Sequence, residues 1–282
     1  MYCILKILNN NALLAKEKDS GSERILLGKG IGFGKKAGDR IDPREEIQVY
    51  TPVAREESSS AINMVNTIDP VYIETAGKII AEAEKVFDSV NGDILLPLAD
   101  HIAFAVKREK DNIFLPNPFI PDIKILFGKE YAVAMESRKI IEKMTGYRIS
   151  DDEAGFIALH IHSGLSNEQV SDTLKTTQII DESMQTIEKM GGRELQKESL
   201  NYIRLMSHLY YMAVRAKTGE AVNVDLNDFV KNKYPKALKI AEQICGNMET
   251  ALQKKLLPEE TGFLAIHIQR MIACLLYTSP SP

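Results

Sequence analysis

The sequence predicts a multidomain chain in which a small antiparallel β-sheet domain precedes two tandem all-α helical-bundle domains. Three observations support this fold class. Short apolar runs alternate with turn signals up to about residue 55, a helical periodicity begins at about residue 67, and the helical part repeats at an offset of 107 residues. We therefore expect domains at residues 1–55, 67–172 and 173–282, which suits a length of 282 residues.

The first domain is predicted to contain about four short antiparallel strands. Apolar residues lie on both sides of an asparagine run at 9–11, and residues 19–22 are a turn signal. Residues 24–27 form the next apolar run and lead into a glycine-rich segment at 28–34, and the last predicted strand covers residues 47–50. So small a sheet buries little surface, and we expect it to gain from pairing with a second copy.

A polar, serine-rich stretch at residues 54–66 is predicted to be a linker. The helix after it is predicted to begin at Asp69 and Pro70 and to end at Asn91 and Gly92. Its apolar residues fall on one face at helical spacing: Ile73, Ile80, Ala83 and Phe87.

The two helical domains carry matching boundary signals. Ser150, with acidic residues after it, is predicted to cap the helix that carries His160, and Pro258 is predicted to begin the helix that carries His267.

Loops are predicted at equivalent places in the two copies, at residues 116–121 and 223–228. Beyond them, residues 123–127 match residues 230–234 at the same offset. Residues 277–282 cannot continue a helix, and they are left out of the predicted fold.

The composition limits the classes of function. A net charge of -4 argues against a chain that coats nucleic acid, although it does not exclude one basic module. The three cysteines lie far apart and have neither a disulfide nor a metal-ligand spacing, so a reducing cytoplasm is expected. No apolar run is long enough to span a membrane, and the first residues do not read as a signal peptide.

Four of the five histidines occupy equivalent positions in the repeat, which pairs His101 with His208 and His160 with His267. A single histidine on an apolar helix is usually structural, but four at duplicated positions favour a shared chemical role. The fifth, His162, has a glutamine as its counterpart and is assigned a structural role.

Two chemistries compete for these histidines. Each predicted domain has one histidine per helix, far from the close spacing of helical zinc sites, and Asp100 is replaced by Ser207 in the second copy. A neutral imidazole can instead accept a phosphoryl group, which adds about two negative charges. Arg108 and Arg215 follow His101 and His208 by two helical turns, so each arginine shares a face with its histidine. No cofactor and no catalytic motif are predicted.

The glycine-rich segment at residues 28–34 has two interpretations. The simpler one is a glycine-rich hairpin, since the segment is neither a dinucleotide-binding fingerprint nor a P-loop. The functional one is a ribbon that exposes its backbone to RNA with unpaired bases, beside asparagine amides and a stacking face at Phe33. Nearby cations would then lie close to phosphates: Lys6, Lys29, Lys35 and Lys36.

Residues 6–11, 28–33 and 36–39 resemble the co-antiterminator RNA-binding domain of the BglG/LicT-type transcriptional antiterminators. The two helical repeats resemble the phosphotransferase-system regulation domains of that family, so the resemblance covers residues 1 to about 272. It implies a cytoplasmic homodimer whose N-terminal domain binds a hairpin in nascent mRNA. That hairpin overlaps a terminator, so binding lets transcription of sugar-utilisation genes continue.

The resemblance also implies site residues. The RNA-contacting positions match a set in the first domain: Lys6, Asn9, Asn11, Gly28, Lys29, Gly30 and Phe33. The regulatory positions match His101, His160, His208 and His267. By analogy, the sugar-specific permease, enzyme II, phosphorylates His101 and His160 of the first repeat and inactivates the protein. The histidine-containing phosphocarrier protein phosphorylates His208 and His267 of the second repeat and favours the active dimer.

Two alternatives stay open at the level of sequence. One is a DNA-binding activator with the same regulatory domains, which should begin with a helix-turn-helix. The other is a metal-dependent phosphohydrolase of the His-Asp type, although Asp100 and His101 stand in the reverse order of that signature.

Overall fold

The computed structural model describes residues 1–42, 46–51, 65–192, 194–222 and 224–277, with backbone alone for 274–277. By contacts the chain divides into two compact units. One comprises residues 1–123 and 127–170, and the other comprises residues 124–126 and 171–282. Most of the predicted linker and all but the first residue of the excluded tail lie outside the described residues. The three domain boundaries stay a prediction.

The N-terminal residues form an antiparallel sheet with the strand order β4-β1-β2-β3-β5. Its strands are β1 (Tyr2–Asn9), β2 (Ala12–Glu17), β3 (Glu23–Leu27), β4 (Arg40–Ile41) and β5 (Gln48–Tyr50). The predicted antiparallel strands are confirmed, but the glycine-rich residues 28–34 are not a hairpin, because β3 pairs with β2 and β5 whereas β4 pairs with β1. Strand β4 is an addition to the predicted set. It was missed because two residues carry no alternation of apolar and polar side chains.

Both faces of this sheet carry buried side chains. A small core on one face contains Tyr2, Ile4 and Leu26. On the other, Leu27 lies against the first long helix, where a Cβ placed on Gly77 would come within 2.2 Å of the leucine side chain. Glycine therefore allows the helix backbone to approach the sheet closely.

A first set of helices follows the sheet in the chain. It comprises α1 (Pro70–Ala83), a short 3₁₀ turn (Gly92–Ile94), α2 (Leu95–Lys110), α3 (Ile120–Leu126), α4 (Gly128–Thr145) and α5 (Asp151–Ser166). The second set comprises α6 (Val170–Gly191), α7 (Leu200–Thr218), α8 (Asn227–Lys233), α9 (Pro235–Leu252) and α10 (Pro258–Tyr277).

The offset of 107 residues recurs in the helix boundaries. Helices α8 and α9 begin and end 107 residues after α3 and α4, and α10 begins 107 residues after α5. Each of the short helices α3 and α8 begins inside a predicted loop, at Ile120 and at Asn227. The repeat in the sequence is thus a repeat of local structure.

The predicted helix starts are confirmed. The Asp69 side chain accepts a hydrogen bond from the Val71 amide at the start of α1, and the Ser150 hydroxyl accepts one from the Glu153 amide at the start of α5. Pro258 is the first residue of α10.

The predicted end of α1 is wrong. The helix ends at Ala83, and Asn91 instead caps the 3₁₀ turn that follows. Glu84, Lys85 and Val86 are exposed, so no burial stabilises another helical turn there. Phe87 therefore lies beyond the helix to which its spacing assigned it.

None of the helices in the described part of the chain is long and apolar enough to cross a membrane.

Candidate functional sites: two histidine pairs and a glycine-rich loop

The first histidine pair lies between helices α2 and α5. The ring centroids of His101 and His160 are 5.2 Å apart with an interplanar angle of 39°, and Phe156 lies 5.8 Å from the His101 ring. The Ser150 hydroxyl caps the start of α5, the helix that carries His160. Two residues 59 positions apart in the sequence are therefore neighbours in space.

A buried ion pair lies beside His101. Arg108 donates to both carboxylate oxygens of Glu153, at 2.6 Å from Nε and 3.0 Å from Nη2. The same carboxylate lies 3.3 Å from Nε2 of His101. Burial raises the pKa of Glu153, but the contacts with His101 and Arg108 outweigh it and hold that pKa below its ordinary value. Glu153 is therefore an ionised carboxylate.

The second pair repeats this arrangement between α7 and α10. The rings of His208 and His267 are stacked, with centroids 4.4 Å apart and an interplanar angle of 22°. Arg215 donates to both oxygens of Glu260, at 2.6 Å and 2.9 Å, just as Arg108 does to Glu153. Two copies of one constellation, each with two imidazoles and an Arg–Glu pair, are present in the chain.

Both histidines of the second pair are kept neutral. Burial lowers the pKa of His208 to about 3, together with repulsion from the charge that His267 would carry if protonated and from the charge of Arg215. Burial and the charges of Arg270 and Arg204 also lower the pKa of His267. A neutral imidazole has one nitrogen with a free lone pair, which is the form that attacks phosphorus.

Sequence reasoning found the histidines and the arginines but missed Glu153 and Glu260. A signal was available, since both glutamates occupy equivalent places in the repeated motif. They were interpreted only as acidic residues in the first turn of a helix, where such residues are common.

A cleft adjoins the first pair. It has a volume of about 270 Å³, and Asn91, Pro97, His160, Ser163 and Gln169 are among its lining residues. A phosphoryl group is smaller than this cleft.

His162 has packing partners that account for its presence. Its ring lies 4.1 Å from that of Phe127, and Nδ1 lies 3.0 Å from a carboxylate oxygen of Glu130. These contacts join α5 to the start of α4, as expected of a structural histidine. No cluster of three or more potential metal ligands occurs among the described residues.

The asparagines of the first domain shape the glycine-rich loop. The Asn11 side-chain oxygen accepts a hydrogen bond from the Gly30 amide at 2.8 Å, and the Asn9 side-chain oxygen accepts one from the Asn11 amide at 2.8 Å. Gly30 has a φ of 69°, which favours glycine. Phe33 is 77% exposed at the end of this loop.

The amide nitrogens of the same asparagines contact helix α1. Asn11 Nδ2 donates to both oxygens of Glu74 at 3.3 Å, and Asn9 Nδ2 donates to one of them at 3.5 Å. Lys6 donates to the Asn66 side chain. The structure thus brings Asn9, Asn11 and Gly30 together and leaves Lys29 and Phe33 exposed. Gly28 lies with Asn11 and Lys29 along one cleft of about 400 Å³.

Low pH should reduce the stability of the second set of helices, because His208 is neutral in the folded chain. Below pH 6.5 the unfolded chain binds a proton that folded His208, with its pKa of about 3, does not bind. The free energy of unfolding should therefore fall by about 1.4 kcal/mol per pH unit for this group, from about pH 6.5 towards pH 3.

Urea unfolding at pH 7, 6 and 5, followed by circular dichroism, measures this slope. His208→Asn removes the titrating ring and should flatten it. Equal slopes in the two proteins would contradict the assignment.

Family models match nearly the whole chain. The CAT RNA binding domain matches residues 2–59, and the PRD domain matches residues 77–164 and 181–271. The first match covers the place where a DNA-binding activator of this type would carry a helix-turn-helix, and the described residues there form the sheet.

Curated relatives match end to end. The chain is 30% identical to the transcription antiterminator LicT of Bacillus subtilis over 95% of this chain and 98% of the relative. It is 31% identical to the PtsGHI operon antiterminator of the same species, over 96% and 97%. It is 29% identical to the beta-glucoside operon antiterminator of Dickeya chrysanthemi, over 95% and 96%.

Among solved structures, the crystal structure of GlcT CAT-PRDI is similar to this chain. The TM-score is 0.50 at 34% sequence identity, and the match covers 59% of this chain and 99% of that one.

Proposed function

The chain belongs to the BglG/LicT-type family of transcriptional antiterminators, and from this premise we propose that it binds a hairpin in nascent mRNA as a dimer and prevents a terminator from forming. It is an RNA-binding regulator of transcription whose PRD domains place it under the control of the sugar phosphotransferase system. The relatives named above are regulators and not enzymes.

The duplicated constellation of two imidazoles and an Arg–Glu pair is the observation that carries the proposal. Phosphoryl transfer to a histidine places about two negative charges in a partly buried site. The site already holds a cation, Arg108 or Arg215, and already holds a competing anion, Glu153 or Glu260. A new anion there must rearrange the pair, so phosphorylation has a structural effect.

The proposal assigns different donors to the two pairs. Enzyme II phosphorylates His101 and His160 when its sugar is absent and inactivates the protein. The histidine-containing phosphocarrier protein phosphorylates His208 and His267 and favours the active dimer. One histidine pair lies in each PRD domain match, which supports two separate inputs.

Exposed aromatic residues beside the histidines support a homodimer. Phe104 and Tyr211 are equivalent in the repeat, lie three residues after His101 and His208, and are each about half exposed. Exposed aromatic side chains are enriched in the surfaces that proteins use to associate. A dimer that meets at this surface would sense a charge added to the histidines.

The proposed RNA contacts are Lys6, Asn9, Asn11, Gly28, Lys29, Gly30 and Phe33. The loop presents backbone groups, one cation and one aromatic face close together, which suits unpaired or bulged bases. Lysine at position 29 provides charge without the planar fork of an arginine.

Aspartate substitutions test the two inputs, with a reporter gene placed behind a leader that carries the terminator. His208→Asp or His267→Asp should raise readthrough about three- to tenfold because the added carboxylate imitates part of a phosphoryl charge. His101→Asp should lower it by a similar factor. The uncharged variants His208→Asn and His101→Asn are the matched controls, and identical readthrough in all aspartate and asparagine variants would refute the proposal.

A further inference from the structure

We infer that Glu153 is a positioning residue that holds the His101 proton on Nε2, so that His101 accepts its phosphoryl group on Nδ1. This inference rests on the proposed function and specifies the atom at which the first regulatory domain is modified.

Nε2 of His101 lies next to the carboxylate of Glu153. This atom is buried, makes no hydrogen bond to a residue that the structure describes, and lies 3.3 Å from Oε2 of Glu153. A ring nitrogen that carries a proton is attracted to a carboxylate at this distance, and one that carries a lone pair is repelled by it. The carboxylate therefore favours the ring form that is protonated on Nε2.

The carboxylate is itself held in place. Glu153 is only 3% exposed, and Arg108 binds both of its oxygens, so rotation away from His101 would break a bidentate ion pair. The backbone is fixed as well, since the Glu153 amide donates to the Ser150 hydroxyl at the start of α5. Arg108 and Ser150 therefore support Glu153 from both ends.

The remaining lone pair decides which nitrogen reacts. A neutral imidazole has one protonated and one unprotonated nitrogen, so a proton on Nε2 leaves the lone pair on Nδ1. A phosphoryl group on Nε2 would in addition lie against the Glu153 carboxylate, and two anions so close repel each other strongly in a buried site. Both effects direct the reaction to Nδ1.

Transfer of the phosphoryl group from a donor phosphohistidine to His101 needs no further reactant. The P–N bond of a donor phosphohistidine, protonated on its other nitrogen, breaks as the bond from phosphorus to Nδ1 of His101 forms. The donor ring leaves as neutral imidazole, and the His101 ring becomes a cation that keeps its proton on Nε2. Glu153 then faces a positive ring, which it stabilises as a buried carboxylate stabilises the imidazolium in a catalytic triad.

The test uses the full-length protein labelled with ¹⁵N-histidine and phosphorylated with phosphoramidate, a small donor that needs no partner protein. Phosphorus–nitrogen couplings in NMR spectra identify the modified nitrogen, and mass spectrometry of peptides identifies the histidine. In the wild-type protein we expect phosphate on Nδ1 of His101. Phosphate on Nε2 of His101 would overturn the inference, even with the proposed function intact.

Two glutamine variants test whether Glu153 positions the His101 ring or only stabilises the fold. Glu153→Gln should slow phosphorylation of His101 about tenfold and yield a mixture of the two nitrogen isomers. Glu136→Gln, at an exposed glutamate paired with Lys139, is the control and should change neither. An unchanged rate and isomer in Glu153→Gln would also overturn the inference, whereas a failure to phosphorylate any of the four histidines would refute the proposed function itself.

Discussion

Replacing Arg215 by methionine is expected to cost about 3–5 kcal/mol of unfolding free energy. The side chain of Glu260 is only 2% exposed, and Arg215 donates to both of its oxygens. Removal of the arginine leaves the buried Glu260 carboxylate without its bidentate partner. Urea unfolding at pH 7, followed by circular dichroism, measures the loss.

A double substitution distinguishes two contributions to the lost stability: the loss of the ion pair itself and the cost of leaving one buried charge unpaired. Combining Arg215→Met with Glu260→Leu removes both charges and should recover most of the stability, because apolar replacements of buried ion pairs are often neutral. Lys255→Met is the control, since it breaks an exposed pair with Glu249 and should cost less than about 1 kcal/mol. Were Arg215→Met no more costly than this control, the buried pair would not contribute as we describe.

The second large effect concerns Phe33, whose removal should weaken RNA binding about 5- to 150-fold. Stacking of one base on an aromatic ring contributes about 1–3 kcal/mol, and Phe33→Ala removes the ring. The side chain is 77% exposed, so the fold should lose little stability. A gel-shift titration of the full chain with an RNA hairpin that contains internal loops measures the affinity.

Phe114→Ala is a matched control for Phe33→Ala. Phe114 is 69% exposed and lies in the loop after α2, outside the proposed RNA contacts. Equal affinities for Phe33→Ala, Phe114→Ala and the unaltered protein would remove Phe33 from the RNA-binding set. Asn11→Ala is also expected to weaken binding, but it would remove the hydrogen bond that shapes the loop at Gly30 as well.

The features that the sequence predicted well are those with a local or repeated pattern. The caps at Asp69 and Ser150 need only a few neighbouring residues, and the equivalence of α3 with α8 follows from the 107-residue offset. The equivalence of His101 with His208 and of His160 with His267 follows from the same offset.

The features that were missed depend on distant residues. Glu153 and Arg108 lie 45 residues apart, and no local sequence pattern predicts that their side chains form an ion pair. The end of α1 depends on which residues after Ala83 find partners in the fold, which spacing alone does not reveal. The contact of Leu27 with α1 at Gly77 likewise joins residues that are far apart in the sequence.

The hydrogen bonds from Asn9 and Asn11 to Glu74 have a thermodynamic consequence. An amide N–H directed at the Glu74 carboxylate cannot be donated to an RNA acceptor at the same time. RNA that accepts these N–H groups must therefore break their hydrogen bonds to Glu74 of helix α1. Bound RNA therefore weakens the contact between the two asparagines and Glu74. Because linkage is reciprocal, any event that strengthens this contact lowers the affinity for RNA by the same factor. Two asparagine side chains thus couple the first helical domain energetically to the RNA surface.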